Sequence, residues 1–332
     1  VKVMSTVVQR RKKASIVEAK SQDNRDGETK EEMVIRVIGH IWKLICLFGL
    51  VLMDCVQAVI SNIIPKGFGR CKDITGKTVL VTGGASGLGR LIALRFSRRG
   101  CTLVLWDREE KGLLETAAMC QKNGCTVKTY TVDMTQREEI ATAAAAVKKE
   151  LGQVHILLNN AGIGIGGKIL EQKEENIRLT MEVNAMCHFW MAREFLPSMM
   201  ERNEGHIATI ASVGGTYVSA QDMIPYCVSK FAAMAIQEGL ENETACQGKT
   251  GIKFTTVCPA YFQSRLLDDL TTKTGMDVMT PEYVADIAVE GILREMRIVF
   301  VPKLFYILYA LKGIIPRRAM TRLSTTVFRN SR

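Results

Sequence analysis

The sequence predicts an α/β fold in which helices cover both faces of a parallel sheet. Short runs rich in β-branched residues alternate with longer stretches of helical periodicity, which is typical of strands joined by helical crossovers. The body that contains them, residues 74–302, has about 230 residues and can bury the core of a single domain. Seven runs are expected to be strands: 78–82, 101–106, 126–131, 154–159, 206–211, 252–257 and 298–301.

Local signals place helix boundaries between these strands. Thr135 and Glu138 have the spacing of a capping box, in which each side chain accepts a hydrogen bond from the other residue's backbone N–H. Thr280 precedes a proline, which is favoured in the first turn of a helix. Gly100 and Gly124 are expected to end two earlier helices, because glycine readily adopts the left-handed conformation found there.

The first strand runs into a glycine-rich turn that is followed by a helix. Glycines at 83, 87 and 89 allow a tight turn and a close backbone approach, so that a pyrophosphate can lie at the helix N-terminus. The sequence therefore predicts a Rossmann-type, doubly wound sheet that binds a dinucleotide. The residues of the turn expected to contact it are Thr82, Gly83, Ser86, Gly87, Leu88 and Gly89.

An acidic residue ends the second strand, as a dinucleotide site requires. Asp107 lies 18 residues after Gly89 and is expected to bind the adenosine ribose hydroxyls. Its charge would repel a 2′-phosphate, which favours NAD over NADP. Arg108 follows directly and could instead pair with that phosphate, so NADP stays open as the alternative.

A tyrosine and a lysine have the spacing of a proton-transfer pair. Tyr226 and Lys230 are four residues apart and therefore lie on one helix face. Tyrosine has a pKa near 10, and a neighbouring ammonium together with a cationic nicotinamide ring would lower it enough for Tyr226 to act as a base. Ser212, after the fifth strand, would hold the substrate oxygen.

These motifs, in this order, resemble the short-chain dehydrogenase/reductase family over roughly residues 74–302. The resemblance is carried by the turn 82–89, Asp133, the run Asn159-Asn160-Ala161-Gly162, Asn184, Ser212 and the run Tyr226-Cys227-Val228-Ser229-Lys230. It implies the seven-stranded sheet of that family and a nicotinamide cofactor. It also implies that Asn184 holds a water in a proton relay ending at Lys230, which binds the nicotinamide ribose as well.

The same resemblance implies further cofactor contacts. They are Asp133 and Met134 beside the adenine, Asn160, Ala161 and Gly162 on the adenosine side, and Pro259, Phe262 and Ser264 over the nicotinamide. The sequence departs from the family pattern at two of the neighbouring positions. Ala260 follows the proline where glycine is frequent, and Ser264 replaces the usual threonine.

Charge is unevenly distributed along the chain. The formal net charge of +10 divides into +2 for residues 1–32, +4 for 33–72, −3 for 73–302 and +7 for 303–332. A slightly acidic body with basic ends favours an anionic membrane surface over nucleic acid, for which no basic-aromatic platform is present. With 47% hydrophobic and 23% charged residues, the composition excludes disordered, collagen-like and disulfide-stabilised classes.

The ten cysteines contain no Cys-x-x-Cys pair and do not alternate with the four histidines. This pattern predicts no metal site and no disulfide framework. It is typical of thiols kept reduced, so the catalytic body is expected on the cytosolic side.

The amino-terminal region divides into a polar leader, 1–32, expected to be disordered, and an apolar segment, 33–64, that joins the body through a linker, 65–73. Between 44 and 64 the only charge is Asp54, and 21 helical residues span about 31 Å, the thickness of a hydrocarbon core. We therefore expect a membrane-anchor helix. Its polar side chains gather on one stripe, so a helix lying in the membrane interface and one that spans it are both compatible, and a buried soluble helix is the third alternative.

The tail, 303–332, is apolar and basic. Leu, Ile, Phe and Tyr dominate 303–315 and cations flank them, a composition found near anionic lipid. A segment on the membrane surface and a helix packed on the body are equally compatible with it.

The resemblance extends to a membrane-associated branch of the family. It implies an NAD-dependent oxidoreductase that interconverts a lipophilic alcohol, such as retinol or a hydroxysteroid, and its carbonyl at the endoplasmic reticulum or lipid-droplet surface, as a homodimer. The segments 213–225 and 261–280 are expected to form the substrate pocket. The alternative is a non-catalytic protein of lipid droplets that retains a nucleotide-binding fold.

Overall fold

The computed structural model describes residues 30–63, 71–217, 222–264, 278–316, 318–319 and 322. The chain forms two units, 1–69 and 70–332. Most of the polar leader, most of the linker and the end of the tail lie outside the described residues, so what was expected of them stays a prediction.

The first unit contains one long helix, α1, Lys30–Ile63. At 34 residues it is about 51 Å long, more than the hydrocarbon thickness of a bilayer. Its window Met33–Leu50 has a mean hydropathy of 1.8 and none of it is buried. Among the described residues, this is the one helix that is long and apolar enough to cross a membrane.

The second unit is built on a seven-stranded parallel sheet, as predicted. The strands are β1 (Thr78–Thr82), β2 (Thr102–Asp107), β3 (Val127–Thr131), β4 (Ile156–Asn159), β5 (Gly205–Ile210), β6 (Ile252–Pro259) and β7 (Ile298–Val301). Their order is β3-β2-β1-β4-β5-β6-β7, and every neighbouring pair is parallel. Strands β1, β4 and β5, at the centre, are buried along their whole length because helices cover both faces of the sheet.

Two layers of helices enclose the sheet. They are drawn from α2 (Gly87–Phe96), α3 (Glu110–Gln121), α4 (Arg137–Leu151), α5 (Glu174–Met181), α6 (Cys187–Arg202), α7 (Ile224–Cys246), α8 (Pro281–Leu293) and α9 (Leu304–Leu311). Helices α2, α3 and α8 pack in one apolar core, and α4 and α6 pack in the core on the other face. The strand order reverses between β1 and β4, and such a reversal opens a crevice at the carboxyl ends of the strands.

Two of the three sets of helix-boundary signals are confirmed. Gly100 and Gly124 have φ values of 67° and 77°, in the left-handed region, where two helical segments end. The Thr280 hydroxyl accepts a hydrogen bond from Tyr283 N at 3.4 Å and caps α8.

The capping box predicted at Thr135 and Glu138 is wrong. Helix α4 begins at Arg137, and its N-cap residue makes no side-chain capping hydrogen bond. The N–H and the hydroxyl of Thr135 both donate to Asp133 Oδ1, at 2.9 Å each. Because this turn at the end of β3 already satisfies Thr135, the helix starts one residue later than a box would require.

The carboxyl-terminal helix α9 packs on the body through one face. Phe305 is buried and Tyr306 Oη donates a hydrogen bond to Ile298 O at 2.9 Å. Of the two alternatives for the tail, packing on the body is therefore observed for this face, while the opposite face is exposed.

Candidate active site

A cleft of about 820 Å³ opens at the carboxyl edge of the sheet, where the strand order reverses. It brings together all but two of the residues that the sequence pointed to. The lining includes Gly83, Ser86, Gly87, Leu88, Gly89, Asp107, Asp133, Met134, Asn160, Ala161, Gly162, Ser212, Tyr226, Lys230, Pro259, Phe262 and Ser264. The two exceptions, Thr82 and Asn184, are buried behind its wall.

The glycine turn after β1 leaves space for a ligand on one side and none on the other. A methyl group at Gly89 would overlap the carbonyl oxygen of Gly83, so α2 can approach β1 only with glycine there. Gly87 has a φ of +53°, and no atom lies within 4 Å of the point that a Cβ would occupy, so its outer side is open. Ser86 precedes α2 without a side-chain capping bond, which leaves backbone N–H groups of the first turn available to an anion.

Asp107, at the end of β2, faces the glycine turn. Its Oδ2 accepts from Ala85 N at 3.0 Å and its Oδ1 accepts from Glu109 N at 3.1 Å. These two bonds fix the carboxylate at one end of the cleft, and each oxygen keeps a further lone pair for a ribose hydroxyl. Arg108 lines the cleft beside it.

Arg90 is a cleft residue that the sequence reasoning missed. Its guanidinium donates to Ala85 O at 2.5 Å, to Thr116 Oγ1 at 2.9 Å and to Glu115 Oε2 at 2.9 Å. It therefore joins the glycine turn to α3. Its position directly after the last glycine of the turn was the signal that could have identified it.

Thr82 positions the site and does not line it. Its hydroxyl accepts hydrogen bonds from Asn160 N and Ala161 N, both at 3.0 Å. In return, Asn160 Nδ2 donates to Thr82 O at 2.8 Å. The carboxyl ends of β1 and β4 are thus tied together, which holds both walls of the crevice at a fixed separation.

Asn184 also lies behind the wall. It belongs to a π-helical segment, Glu182–Met186, between α5 and α6, and its side chain is completely buried. Its Oδ1 accepts from Ile163 N at 2.8 Å, while Nδ2 donates to Ile163 O at 2.8 Å and to Ser229 Oγ at 2.9 Å. These bonds use both N–H groups of the amide and one lone pair of Oδ1, so the orientation of the side chain is fixed.

Ser212 lies directly after β5, at the base of the cleft. Its hydroxyl accepts from Gly214 N at 3.0 Å and is 3.4 Å from Pro259 O, to which it donates. It also hydrogen-bonds to the Tyr226 side chain, and this bond offsets part of the rise that burial causes in the pKa of that phenol. The hydroxyl group therefore faces the phenol with its position set from both sides.

Tyr226 and Lys230 lie on one face of α7, as predicted. Lys230 is buried, its Nζ donates to Ile210 O at 2.9 Å, and it lies 5.8 Å from the centroid of the Tyr226 ring. Desolvation raises the pKa of Tyr226 to about 12, and burial lowers the pKa of Lys230 to about 8. Each shift disfavours the charged form, so a positive charge bound beside the ring would favour the phenolate.

The comparison with known proteins agrees with this geometry. The family of short chain dehydrogenases matches residues 77–275. The chain is a short-chain dehydrogenase. It is 37% identical to estradiol 17-beta-dehydrogenase 11 of Rattus norvegicus over 288 residues, 87% of this chain and 95% of the relative. It is 39% identical to 17-beta-hydroxysteroid dehydrogenase 13 of Homo sapiens over 284 residues, 86% of this chain and 93% of the relative.

Solved structures show the same fold. A short-chain dehydrogenase from Burkholderia phymatum in complex with NAD superposes with a TM-score of 0.66 at 25% identity, covering 73% of this chain and 94% of that one. An alcohol dehydrogenase from Thermococcus sibiricus, complexed with 5-hydroxy-NADP, has a TM-score of 0.60 at 23% identity and covers 68% and 94%. Both solved structures hold a nicotinamide dinucleotide, and family membership supports an alcohol/carbonyl oxidoreductase for this chain. The open glycine turn, the uncapped start of α2 and the fixed Asp107 carboxylate fit such a dinucleotide.

The other end of the cleft of the dehydrogenase is apolar. Both segments expected to form the substrate pocket contribute to it, through Val213 and Met223 and through Tyr261. The two ends of the second segment are joined by a hydrogen bond that Met279 N donates to Tyr261 O at 3.1 Å. Residues 218–221 and 265–277 of these segments lie outside the described residues.

Four further apolar residues of this wall were not predicted. They are Ile163, Ile165, Leu179 and Val183. No motif marks them, because they come from two segments, the loop after β4 and the helical stretch 174–186, that only the fold brings to one cleft.

Proposed function

We propose that this dehydrogenase interconverts a lipophilic alcohol, a hydroxysteroid or retinol, and its carbonyl, using NAD. The observation that carries the proposal is one cleft with Ser212, Tyr226 and Lys230 at an apolar end and the Asp107 carboxylate at the other. Bound nicotinamide accepts or supplies the hydride.

The protein side of the reaction follows from the positions of three side chains. In oxidation, the Ser212 hydroxyl donates to the substrate oxygen while Tyr226 Oη takes the proton of the alcohol. The buried Lys230 ammonium favours the phenolate, and it releases one of its own protons toward the Asn184 region as it takes up the proton of the Tyr226 phenol. In reduction, Tyr226 returns the proton to the carbonyl oxygen.

Asp107 supports NAD as the cofactor. A carboxylate held by two backbone N–H groups can accept from the ribose hydroxyls, and its charge opposes a 2′-phosphate. We expect kcat/KM with NAD to exceed that with NADP by at least about tenfold, the effect of roughly 1.4 kcal/mol. Steady-state assays at equal cofactor concentrations test this, and equal or faster turnover with NADP would show that Arg108 dominates.

A lipophilic substrate is supported by the apolar lining and by the relatives, which are named for estradiol and 17-beta-hydroxysteroids. Such a substrate partitions into membranes, and α1 would anchor the enzyme where the substrate is concentrated, at the endoplasmic reticulum or a lipid droplet. We also propose a homodimer, as the family resemblance implies.

The test is turnover by the full chain in detergent with estradiol, retinol and long-chain alcohols. Tyr226→Phe should lower kcat by about 10²–10⁴-fold, because it removes the proton acceptor, while NAD binding is retained. Turnover unchanged in Tyr226→Phe would refute the catalytic assignment. If the unmodified chain binds NAD but oxidises none of these alcohols, the non-catalytic lipid-droplet protein is the better description.

A further inference from the structure

The helix α9 presents an apolar face to solvent. Four apolar side chains recur at spacings of three, four and three residues, so they lie on one side of the helix and of the turn that follows it. They are between 39% and 76% exposed: Leu304, Ile307, Leu311 and Ile314. Leu304–Leu311 contains no charged side chain, and its only polar groups are two tyrosine hydroxyls.

The opposite face of α9 packs against the wall of the active site. Phe305 is buried in one cluster with Ala211, and Val213 and Ala260 pack against the same cluster. All three of these partners line the cleft. A single helix therefore separates the exposed apolar face from the apolar end of the cleft.

Along the chain, cations lie on both sides of this face. Residues 303–332 contain seven Lys and Arg side chains and no Asp or Glu. Lys303 and Lys312 bracket α9, and Lys312 Nζ lies 4.8 Å from the centroid of the Phe231 ring and 5.7 Å from that of Tyr217. Apolar side chains between cations complement a surface with anionic headgroups and a hydrocarbon interior.

The location of α9 is also informative. The chain enters the catalytic unit at the amino edge of the sheet, where Lys72 N donates to Leu293 O at 2.8 Å and Lys72 Nζ contacts His206 Nδ1 at 2.6 Å. Helix α9 follows β7 and so lies at the carboxyl edge, where the cleft opens. Lys72, near the start of the described part of the catalytic unit, and the exposed face of α9 thus belong to opposite edges of one sheet.

We propose that the exposed face of α9 and the turn after it are a second lipid-contacting surface, whose partner is an anionic phospholipid surface, and that the substrate enters the cleft beside it. The part on substrate entry rests on the proposed function. A second copy of the chain fits this surface less well, since a symmetric contact would bring two acid-free basic segments together.

Quenching by brominated lipid tests the contact in the full chain. Trp42 of α1 is replaced by phenylalanine, and Ile307→Trp and Leu114→Trp are compared in that background. Leu114 is the matched control, because it is 56% exposed on α3 and Ile307 is 59% exposed. With phosphatidylcholine and phosphatidylserine vesicles brominated in the acyl chains, the emission added at 307 should be quenched several-fold more than that added at 114.

Kinetics test the entry of substrate. Ile307→Glu should raise KM several-fold for an alcohol dissolved in the same vesicles and leave KM unchanged when cyclodextrin delivers that alcohol. Its kcat should not change in either case. Leu114→Glu should change neither KM, and Leu311→Glu should repeat the effect of Ile307→Glu.

Equal quenching at 307 and 114 in vesicle-bound protein would overturn the proposal. It would also be overturned if the emission at 307 changed with protein concentration, as self-association requires, and did not change with brominated lipid. Quenching at 307 without the KM difference would overturn the part on entry. The quenching result does not depend on turnover. A chain that oxidises no alcohol would therefore refute the proposed function and leave the lipid contact as measured.

Discussion

At the scale of the residue, the main feature of the candidate site is that burial shifts the pKa values of Tyr226 and Lys230. Desolvation raises the pKa of the Tyr226 phenol to about 12 and lowers the pKa of the Lys230 ammonium to about 8. At neutral pH the phenol is therefore protonated, and the lysine remains mostly an ammonium. Their spacing on one helix face could be read from the sequence. The size and direction of the shifts could not, since both depend on how completely other chain segments surround these two groups.

This pair gives a prediction for pH dependence. In the proposed mechanism alcohol oxidation needs the Tyr226 phenolate, so the rate should rise with pH up to the apparent pKa of the phenol. Loss of the Lys230 ammonium should move that pKa upward. In Lys230→Met, kcat/KM at pH 7 should fall by about 100-fold and the rising limb should shift to higher pH. Profiles of kcat/KM between pH 6 and 10 measure this, and an unshifted limb would mean that Lys230 only binds the ribose.

Thr82 and Asn184 show what a motif leaves unspecified. Thr82 was expected to contact the cofactor and Asn184 to hold a relay water, and both side chains are buried and hydrogen-bonded to the backbone of neighbouring segments. A motif identifies the residue type that a position requires. Whether the side chain faces the ligand or the protein depends on the segment packed against it.

At the scale of the element, all seven strands lie within two residues of their predicted ends. Apolar runs of this length predict the strands of a parallel sheet well, because these strands are buried on both faces and so have apolar residues at nearly every position. The predicted start of α4 was wrong, because the Asp133 carboxylate accepts hydrogen bonds from the N–H and the hydroxyl of Thr135 before the helix begins. A capping signal of two residues is easily outcompeted by a local turn.

The close contact between α2 and β1 gives a prediction about an element. In Gly89→Ala the added methyl would overlap Gly83 O and approach the Asn160 amide, so α2 must move away from the strand. The free energy of unfolding should fall by about 1–3 kcal/mol, and NAD binding should weaken because the anion site is displaced. Denaturant unfolding and titration with NAD measure the two effects.

Gly239→Ala is the matched control. This glycine lies within α7 with no atom near the added methyl, so alanine should stabilise the protein by about 0.5–1 kcal/mol and leave NAD binding unchanged. Similar losses of NAD affinity in both variants would show that the contact at Gly89 is not what shapes the site.

At the scale of the whole molecule, the core contains histidines that no motif explains. His188 is buried in α6, and within the described residues its Nδ1 has no hydrogen-bond partner. Burial lowers its pKa to about 3, with a further contribution from the charge of Lys230. His206 is also buried, and burial lowers its pKa well below the usual value.

The lowered pKa values of these two histidines predict that the folded protein loses stability in acid. Because their pKa values are lower in the folded than in the unfolded state, the protein is most stable above about pH 6.5 and loses stability as the pH falls toward the folded-state values. Replacing His188 by phenylalanine removes one such group. Between pH 7 and pH 5, His188→Phe should therefore lose about 2 kcal/mol less unfolding free energy than the unmodified chain.

Denaturant unfolding at the two pH values measures the difference, with His40→Phe, at an exposed position of α1, as the control. An identical loss in His188→Phe and the unmodified chain would show that His188 is already protonated in the folded protein, or is not buried in solution.

The sequence by itself determined the fold class, the positions of the strands, the glycine-rich turn with the acidic residue after the second strand, and the residue types of the candidate site. These depend on local spacing and on runs of burial, which the order of residues contains. Only the tertiary structure decided that Thr82 and Asn184 support the site from behind, that α5 contributes to the substrate wall, and that α9 divides into a packed face and an exposed one. Those facts depend on contacts between segments distant in sequence, which local patterns do not specify.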